Sequence, residues 1–475
     1  MEYEPVIGME VHAELLTESK MFCDCSADFG GPPNSRTCPV CLGLPGSLPV
    51  ANKKAVEYVI RTALALNCKI SEHSLFHRKN YFYPDLPKNY QISQYDNPLG
   101  KNGWLDITVD GEIKRIRICR VHLEEDTGKL IHAGGDESLV DYNRSGVPLM
   151  EIVSEADIRS ADEAREYLVR LRAILTYLEV NDGKMEEGSL RCEPNISIRP
   201  KGTEKFGTKT ELKNLNSFRA VYRGVDYEIE RQTKVLEEGG KIVQETRRWD
   251  ETRGITATMR TKEVEQEYRY FPDPDLVPMT FTDTFIQEQC KSLPELPEAK
   301  TDRFVKQYEL PSYDADILTN TKAFADFFEE TVKQFTEPKT VSNWMMGDFT
   351  CLLNAAGIEI TESKIKPSDL ANMLKLISEG TISGKIAKSV FEEMFETGKT
   401  PQEIVKAKGM TQITETTELY PVIDKVISEN PSIIQDVLGG KEKSFGFLVG
   451  QVMKLTQGRA NPQVVNELLR ERIEK

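Results

Sequence analysis

"IGMEVHAEL", residues 7–15, predicts an extended strand because its apolar residues alternate with polar ones. One face carries Ile7, Met9, Val11, Ala13 and Leu15, and the other carries Gly8, Glu10, His12 and Glu14. The chain has only five histidines, and this one stands between two carboxylates. Two interpretations stay open at this point. The segment is either a half-buried strand with a solvated outer face, or a strand on which Glu10 and His12 hold a metal ion or polarise a substrate.

Length and composition indicate a water-soluble protein of several domains. The chain has 475 residues, of which 29% are charged and 39% hydrophobic. We expect no secretory signal, because the start lacks a basic segment followed by an apolar one. The apolar runs are too short to span a bilayer, so we expect a cytoplasmic location without membrane contact. The net charge of −15 argues against a nonspecific nucleic-acid coat, although a local basic patch remains compatible with RNA binding.

Periodicity divides the chain into three expected domains. Residues 1–293 mix alternating strands with a few helices, which predicts an α+β domain around an antiparallel sheet. One of these helices begins after Ser160, which we expect to cap it in a capping box with Glu163. Proline clusters at 271–278 and 292–300 mark a change to helical periodicity. We therefore expect an all-α domain at 294–407 and a small α-helical tail at 408–475.

Four of the nine cysteines lie close together in "CDCSADFGGPPNSRTCPVC". They form a C-x-C pair and a C-x-x-C pair separated by twelve residues, and the loop between the pairs is rich in glycine and proline. Thiolates at this spacing can converge on one tetrahedral ion, whereas disulfides are rare in a reducing cytosol. We therefore expect a structural Zn²⁺ held by Cys23, Cys25, Cys38 and Cys41. Since all four positions are protein ligands, the chemistry must lie elsewhere.

Other strand-like segments carry carboxylates. Glu124, Glu125 and Asp126 end "VHLEEDTGK", and Glu151 interrupts the apolar "GVPLMEIVSE". In "RCEPNISIRP" one face is lined by Arg191, Glu193, Asn195, Ser197 and Arg199. Each segment alone is compatible with a solvated sheet face. Several carboxylates together with His12 favour a site for a hard cation, either Mg²⁺ or Mn²⁺.

Lysine and asparagine cluster in two loops. "HRKNYFYPDLPKNYQISQYDNPL" carries Lys79, Lys88 and Asn89 among tyrosines that include Tyr81, and "GTKTELKNLNSF" carries Lys213, Asn214 and Asn216. Cationic groups facing a carboxylate-held metal ion are what phosphoryl transfer requires. The sequence contains no G-x-x-x-x-G-K-[ST], G-x-G-x-x-G or H-E-x-x-H motif. A nucleotide would therefore bind without any of these loops.

Long stretches of the chain resemble the B subunits of the glutamyl/aspartyl-tRNA amidotransferases. The resemblance is carried by "IGMEVHAEL", "CPVCLGLPGSLPV", "KNYFYPDLPKNYQISQYD", "HLEEDTGK", "DYNRSGVPLMEIVSE", "EGSLRC", "KTELKNLNSF", "YRYFPDPDL" and "LPELP", and in the tail by "LVGQVMK" and "ANPQVVNELL". It implies a cradle-shaped N-terminal domain that phosphorylates the side-chain carboxylate of a misacylated tRNA with ATP. It also implies an amidase-fold A subunit that supplies ammonia, a small C subunit, and a tail that grips tRNA(Gln) or tRNA(Asn).

The expected site residues form two groups. We expect Glu10, His12, Glu125 and Glu151 to be catalytic and to hold Mg²⁺ or Mn²⁺. ATP, the substrate or the ammonia path would be contacted by Lys79, Tyr81, Lys88, Asn89, Arg191, Glu193, Lys213, Asn214 and Asn216. Two other functions stay open, namely a zinc-stapled RNA-binding protein without catalysis and a metal-dependent phosphate-ester hydrolase.

Overall fold

The computed structural model describes residues 2–132, 137–261, 268–409, 416–438, 442–456, 460 and 462–474. The chain divides into two compact units, Met1–Pro297 and Glu298–Lys475. Among the described residues, none of the helices combines the length and the apolar character needed to cross a membrane. The expected boundaries at 293 and 407 stay a prediction.

The first unit mixes strands and helices. Its strands are β1 (Tyr3–Glu14), β2 (Lys69–Ile70), β3 (His73–Ser74), β4 (His77–Asn80), β5 (Tyr90–Ser93), β6 (Gly100–Val109), β7 (Glu112–Glu125), β8 (Lys129–His132), β9 (Ser138–Asp141), β10 (Pro148–Ser154), β11 (Leu190–Pro200), β12 (Thr210–Lys213), β13 (Glu245–Asp250), β14 (Ile255–Thr261), β15 (Phe271–Pro272) and β16 (Met279–Thr280). Its helices are α1 (Lys53–Ala65), α2 (Ala161–Tyr177), α3 (Phe218–Glu237) and α4 (Asp283–Lys291).

One large sheet organises this unit. Within the described residues it has nine strands in the order β14-β13-β12-β11-β1-β10-β7-β6-β2. Neighbouring strands are antiparallel except for the parallel pair β12–β13. A smaller sheet has the order β15-β4-β5. The expected α+β fold class with an antiparallel-dominated sheet is therefore confirmed.

The alternation of "IGMEVHAEL" appears directly in the burial of β1. Ile7, Met9, Val11 and Ala13 are fully buried, and the intervening Glu10 and His12 are only partly covered. The apolar face packs with α1, α2 and α3 into one hydrophobic core. Burial of a large aliphatic side chain contributes about 1.5–3 kcal/mol, so the apolar face holds β1 firmly in the sheet. The polar side chains of β1 project from the opposite face of the sheet.

Helix α2 begins where the sequence predicts, although its first turn is bonded differently. Ser160 Oγ accepts a hydrogen bond from the Glu163 N–H at 3.1 Å, as expected of an N-cap. The return bond of a capping box goes to a different donor, because the Glu163 carboxylate accepts the N–H of Arg159 at 2.6 Å. Lys114 of β7 also donates to this carboxylate at 2.6 Å, and this contact draws it toward the sheet.

Helices make up nearly all of the regular secondary structure that is described in the second unit. The helices are α5 (Pro297–Tyr308), α6 (Ser312–Thr319), α7 (Lys322–Val332), α8 (Pro338–Trp344), α9 (Thr350–Ala356), α10 (Pro367–Ser378), α11 (Gly384–Thr397), α12 (Pro401–Lys408), α13 (Thr416–Glu429), α14 (Pro431–Leu438), α15 (Glu442–Leu455) and α16 (Pro462–Glu474). A π-helical turn, Met345–Phe349, joins α8 to α9, and Ile360–Glu362 forms a 3₁₀ turn. The buried residues form two separate hydrophobic clusters, one within 304–405 and one within 419–469.

Candidate active site

Four adjacent strands, β11, β1, β10 and β7, bring the acidic, histidine and arginine side chains together. His12 of β1 lies opposite Glu151 of β10 and, on its other side, opposite Arg191 of β11. Glu151 in turn lies opposite His122 of β7. Because directly opposed residues of antiparallel strands project to the same face, these side chains share the polar face of the sheet.

His12, Glu124 and Glu151 form a compact cluster that could hold a metal ion. One ligand atom from each lies within 4.8 Å of the others. His12 Nε2 is 3.5 Å from Glu151 Oε2 and 3.7 Å from Glu124 Oε1. Adjacent ligands of an octahedral Mg²⁺ stand about 3 Å apart, since the metal–oxygen distance is about 2.1 Å. The three donors therefore need to move only slightly to share one ion.

His122 supports the two carboxylates from the same face. Its Nε2 is 3.2 Å from Glu151 Oε2 and 3.6 Å from Glu124 Oε2, and Ser93 Oγ donates to Glu124 Oε2 at 3.0 Å. Such contacts orient ligating carboxylates and restrict their rotation. The side chains of His122 and Glu124 are each only 3% exposed, so their positions are set by packing.

The carboxylates attract positive charge strongly. Burial alone lowers the pKa of His12, but its hydrogen bond to Glu151 and the charges of Glu151 and Glu124 raise this pKa to about 9. Burial likewise disfavours ionised Glu151, yet the neighbouring His122 and His12 hold its pKa well below the usual value. The same carboxylates would attract a divalent cation, and binding of the ion would displace the proton from His12, because only the neutral imidazole is a ligand.

The cluster opens into a cavity of about 440 Å³ that also contains cationic side chains. Lys79 lies over the rings of Tyr268 and Tyr81, with its Nζ 4.9 and 5.9 Å from the two ring centroids. Burial opposes the charge of Lys79, but the carboxylates of Glu124 and Glu151 raise its pKa above the ordinary value. The other cations that line the cavity are Arg120, Arg191, Lys209 and Lys213.

The structure differs from the sequence-based expectation at Glu125 and Lys88. Glu125 projects to the opposite face of β7 from Glu124, and both of its carboxylate oxygens bind Lys88 Nζ, one of them at 2.6 Å. It also accepts the N–H of Ile92 at 2.9 Å. Because successive strand residues alternate between faces, Glu124 takes the position in the cluster that we expected for Glu125. Through this ion pair, Lys88 lies on the side of the sheet to which Glu125 projects and away from the cluster.

Most other expected residues line the cavity or a neighbouring one. Glu10 projects into the cavity and accepts a hydrogen bond from Asn195 Nδ2 at 2.9 Å. Arg191 binds Asp126, and Lys213 binds Glu193 at 2.7 Å. Arg191, Glu193 and Lys213 also line an adjoining cavity of about 380 Å³, together with Asn214 and Asn216. Asn89 instead lies in an exposed turn, where its N–H donates to the Leu86 carbonyl at 3.1 Å.

The cysteine quartet is assembled as expected for a zinc site. The thiols of Cys23, Cys25, Cys38 and Cys41 lie within 4.8 Å of one another, and all nine cysteines of the chain are free thiols. The Cys38 N–H donates to Cys41 Sγ at 3.1 Å. Hydrogen bonding from Cys23 and the positive charge of Lys20 contribute to lowering the pKa of Cys41 to about 5. The quartet could therefore hold a tetrahedral zinc ion.

Lys20 is a buried cation beside this quartet. It is 1% exposed, and its Nζ lies 3.8 Å from Cys41 Sγ. The same amine donates to the carbonyls of Arg36 at 2.8 Å and Tyr142 at 3.3 Å. A zinc ion with four thiolates carries two net negative charges, and Lys20 would offset part of that charge.

Some of the residues at this site were not among those expected from the sequence. Strand alternation in β7 places Arg120, His122 and Glu124 on one face. The sequence pattern was therefore sufficient to predict His122 and Glu124 as neighbours at the site. Tyr268 and Tyr270 reach the cavity through the pairing of β15 with β4, which joins segments almost two hundred residues apart. No local pattern indicates that contact.

Comparison with known proteins identifies the class of protein. Residues 5–287 match the family described as GatB/GatE catalytic domain, and residues 326–473 match the family described as GatB domain. The first match contains the whole His12–Glu124–Glu151 cluster and the cysteine quartet. The catalytic domain of the GatB/GatE class is thus the setting in which this site occurs.

Full-length relatives give the family within that class. A protein from Caldanaerobacter subterraneus is 61% identical over 475 residues, which cover all of both chains. One from Carboxydothermus hydrogenoformans is 59% identical over 478 residues, covering 100% of this chain and 99% of the relative. Both are named as the B subunit of an aspartyl/glutamyl-tRNA(Asn/Gln) amidotransferase. The chain belongs to this family and has the role of a tRNA-dependent amidotransferase subunit.

Proposed function

We propose that the polar face of the sheet activates the side-chain carboxylate of misacylated tRNA by ATP-dependent phosphorylation. The substrates would be Glu-tRNA(Gln), Asp-tRNA(Asn) or both, and the reaction would take place in the cytoplasm. The supporting observation is the His12–Glu124–Glu151 cluster at a cavity that also contains Lys79 and Arg120. A cation site with flanking positive side chains suits the transfer of a phosphoryl group between two anions.

Amidation would proceed in two steps, phosphorylation of the carboxylate and attack by ammonia. A carboxylate oxygen of the aminoacyl group attacks the γ-phosphorus of ATP, the bond to the bridging oxygen breaks, and ADP leaves with an acyl phosphate remaining. Ammonia then attacks the acyl carbon, phosphate departs with the C–O bonding pair, and one ammonia proton is released. Phosphorylation is needed because a free carboxylate has no adequate leaving group.

Different residues of the chain would bind the metal ion, bind the phosphate groups and accept the proton. His12, Glu124 and Glu151 would hold Mg²⁺ or Mn²⁺, which when bound would neutralise phosphate charge and align the reacting groups. Lys79 and Arg120 would bind phosphate oxygens from the cavity wall. Burial and the charges of Glu151 and Glu193 raise the pKa of Glu10, so its carboxylate suits the acceptance of the ammonia proton. Ser93 and His122 would keep Glu124 in place.

The ammonia must come from another protein. The sequence contains no Gly/Ser-rich amidase signature with a Ser-Ser-Lys arrangement, and four cysteines are grouped in the quartet. We propose an amidase-fold A subunit as the glutaminase and a small C subunit that joins the two. The helical tail would bind the tRNA body, and its nine basic and nine acidic residues make it neutral within a chain of net charge −15.

Amidation of aminoacyl-tRNA tests this function directly. The complete heterotrimer is assayed with Glu-tRNA(Gln) or Asp-tRNA(Asn), ATP and either glutamine or an ammonium salt. His12→Ala should severely reduce tRNA-dependent ATP turnover and amidation with both nitrogen sources, while part of the glutaminase activity survives. Glu112→Gln, an exposed position at the far end of β7, is the matched control and should behave as wild type.

Two results would overturn the proposal in favour of one of the other functions, and a third would show that the cluster has a different role. If wild-type complex bound RNA without consuming ATP, the chain would be a binding protein. If phosphate were released from a phosphate ester without tRNA or an amine, the site would be that of a hydrolase. If ammonium restored amidation to His12→Ala, the defect would lie in ammonia supply, and the cluster would have a different role.

A further inference from the structure

A wall of four tyrosines lines one side of the active-site cavity. Tyr81 contacts Tyr268 at a centroid distance of 5.9 Å, and Tyr268 contacts Tyr270 at 6.1 Å. Tyr270 contacts Tyr95 at 4.3 Å, and all four rings line the cavity that contains His12, Glu124 and Glu151. The rings come from two segments, 81–95 and 268–270, that the pairing of β4 with β15 holds together.

The contact between Tyr95 and Tyr270 differs from the others in geometry. The first two contacts are edge-to-face, with interplanar angles of 67° and 74°, as is common for aromatic rings in protein interiors. Tyr95 and Tyr270 are parallel, with an interplanar angle of 8°. Tyr95 is nevertheless 54% exposed. One ring face of Tyr95 is therefore covered by Tyr270, and His77 makes an edge contact with Tyr95 at a centroid distance of 6.3 Å. More than half of the Tyr95 residue nevertheless stays exposed beside these two rings.

The wall has an inner end and an outer end. At the inner end Lys79 lies over Tyr268 and Tyr81 and interacts with Glu124 and Glu151. At the outer end is Tyr95, whose exposure contrasts with the 3% exposure of the Glu124 side chain. A planar group stacked on Tyr95 would lie at the mouth of the cavity, and a substituent attached to it could extend inward toward the carboxylate cluster.

We propose that Tyr95, stacked on Tyr270, is the binding platform for the unpaired 3′-terminal base of the aminoacyl-tRNA. Unpaired bases stack on aromatic side chains, and this contact tolerates any base because each has a planar π face. The terminal nucleoside carries the amino acid on its ribose, so its base at the mouth would let the amino-acid side chain reach the cluster. The polynucleotide would leave through the open side. This inference rests on the proposed function and names the contact that would orient its substrate.

The test uses the complete heterotrimer and tRNA in which 2-aminopurine replaces the 3′-terminal base. Stacking quenches 2-aminopurine fluorescence, so wild-type complex should quench it on binding. Tyr95→Ala should abolish most of the quenching and weaken aminoacyl-tRNA binding by roughly tenfold or more. Tyr95→Phe should restore both properties because it retains the ring. Tyr83→Ala is the matched control, since Tyr83 is 55% exposed and lies outside the residues that line the cavity.

Separate measurements of ATP and tRNA identify the stacked base. We expect the KM for ATP to stay unchanged in Tyr95→Ala while the KM for aminoacyl-tRNA rises. A rise confined to the ATP KM would overturn the proposal by assigning the platform to the adenine of ATP. Absence of quenching in an active wild-type complex would also overturn it. Absence of tRNA-dependent ATP turnover in the wild type would instead contradict the proposed function.

Discussion

Glu124 and Glu125 are adjacent in sequence, yet they have different chemical surroundings. Glu124 faces two imidazoles and a second carboxylate at the cavity. Glu125 forms an ion pair with Lys88, and the side chains are 4% and 9% exposed, respectively. A buried ion pair contributes little net stability, but removal of one partner leaves the other charge buried and unpaired. The two glutamates should therefore respond to substitution in different assays.

We predict that Glu124→Gln affects rate and that Glu125→Gln affects stability. Loss of one electrostatic contact in a preorganised site costs about 10²–10³ in rate, so Glu124→Gln should reduce tRNA-dependent ATP turnover by that factor with little change in melting temperature. Glu125→Gln should lower the free energy of unfolding by about 3–5 kcal/mol, because Lys88 loses its counter-charge. Turnover assays and denaturant unfolding of the same preparations measure both effects. If Glu125→Gln reduced the rate and Glu124→Gln reduced the stability, Glu125 would be the ligand of the cation instead of Glu124.

We predict that the cysteine quartet binds zinc and that the ion stabilises the fold. Wild-type protein should contain one zinc ion per chain, and Cys38→Ser should lose it together with stability, because a structural metal ion contributes folding free energy. Lys20→Met should release zinc to a chelator faster than wild type, since the charge of the thiolate cluster is then less compensated. Metal analysis and chelator kinetics test these points. Cys290→Ser, at an exposed cysteine of α4, should retain zinc.

Glu228 attaches helix α3 to the outer strands of the sheet. It is fully buried, and it accepts hydrogen bonds from Thr210 of β12 at 2.8 Å and Thr256 of β14 at 3.0 Å. Arg231 and Gln232 of the same helix donate to it at 2.6 and 2.9 Å. Burial acts to raise the pKa of Glu228, but the hydrogen bond and charge of Arg231 hold this pKa below the usual 4.5.

We predict that Glu228→Ala lowers the free energy of unfolding by about 2–4 kcal/mol at neutral pH, because several buried donors lose their acceptor. A carboxylate with a lowered pKa stabilises the folded state above its unfolded pKa and loses this contribution as the pH falls. The difference between wild type and variant should therefore shrink below about pH 4. Denaturant unfolding at several pH values measures it. Glu230→Ala, an exposed position on α3, should remain close to wild type at every pH.

The strands and helices also show how far the sequence could predict the structure. Alternation in "IGMEVHAEL" predicted both the buried and the polar face of β1, and cysteine spacing predicted the quartet. Strand alternation was also sufficient to predict that Glu124, and not Glu125, shares a face with His122. This prediction requires that the strand continues through both glutamates, as β7 does. The partner of Glu125 was not predictable in this way. Lys88 lies 37 residues away, and only the tertiary fold brings it under the sheet.

Among its described residues, the second unit contains two separate hydrophobic clusters. Phe328, Phe349 and Phe391 belong to the cluster within 304–405, whereas Leu419 and Leu469 belong to the cluster within 419–469. The last helix of the first group, α12, ends with a left-handed Gly409, a common way to terminate a helix. A region with its own hydrophobic core could in principle fold alone. The tail is therefore a candidate for a separable tRNA-binding part.

We predict that a chain truncated after Gly409 stays folded and loses tRNA affinity rather than chemistry. Truncation leaves the residues of the cluster within 304–405 in place, so unfolding of the remaining chain should stay cooperative. The heterotrimer with this truncated chain should bind tRNA about tenfold more weakly or worse, which corresponds to a loss of about 1.4 kcal/mol. At high tRNA concentration the truncated chain should still support tRNA-dependent ATP turnover, because His12, Glu124 and Glu151 are retained. Unchanged tRNA affinity would show that the tail has another role, and loss of turnover at saturating tRNA would show that the tail is needed for the reaction.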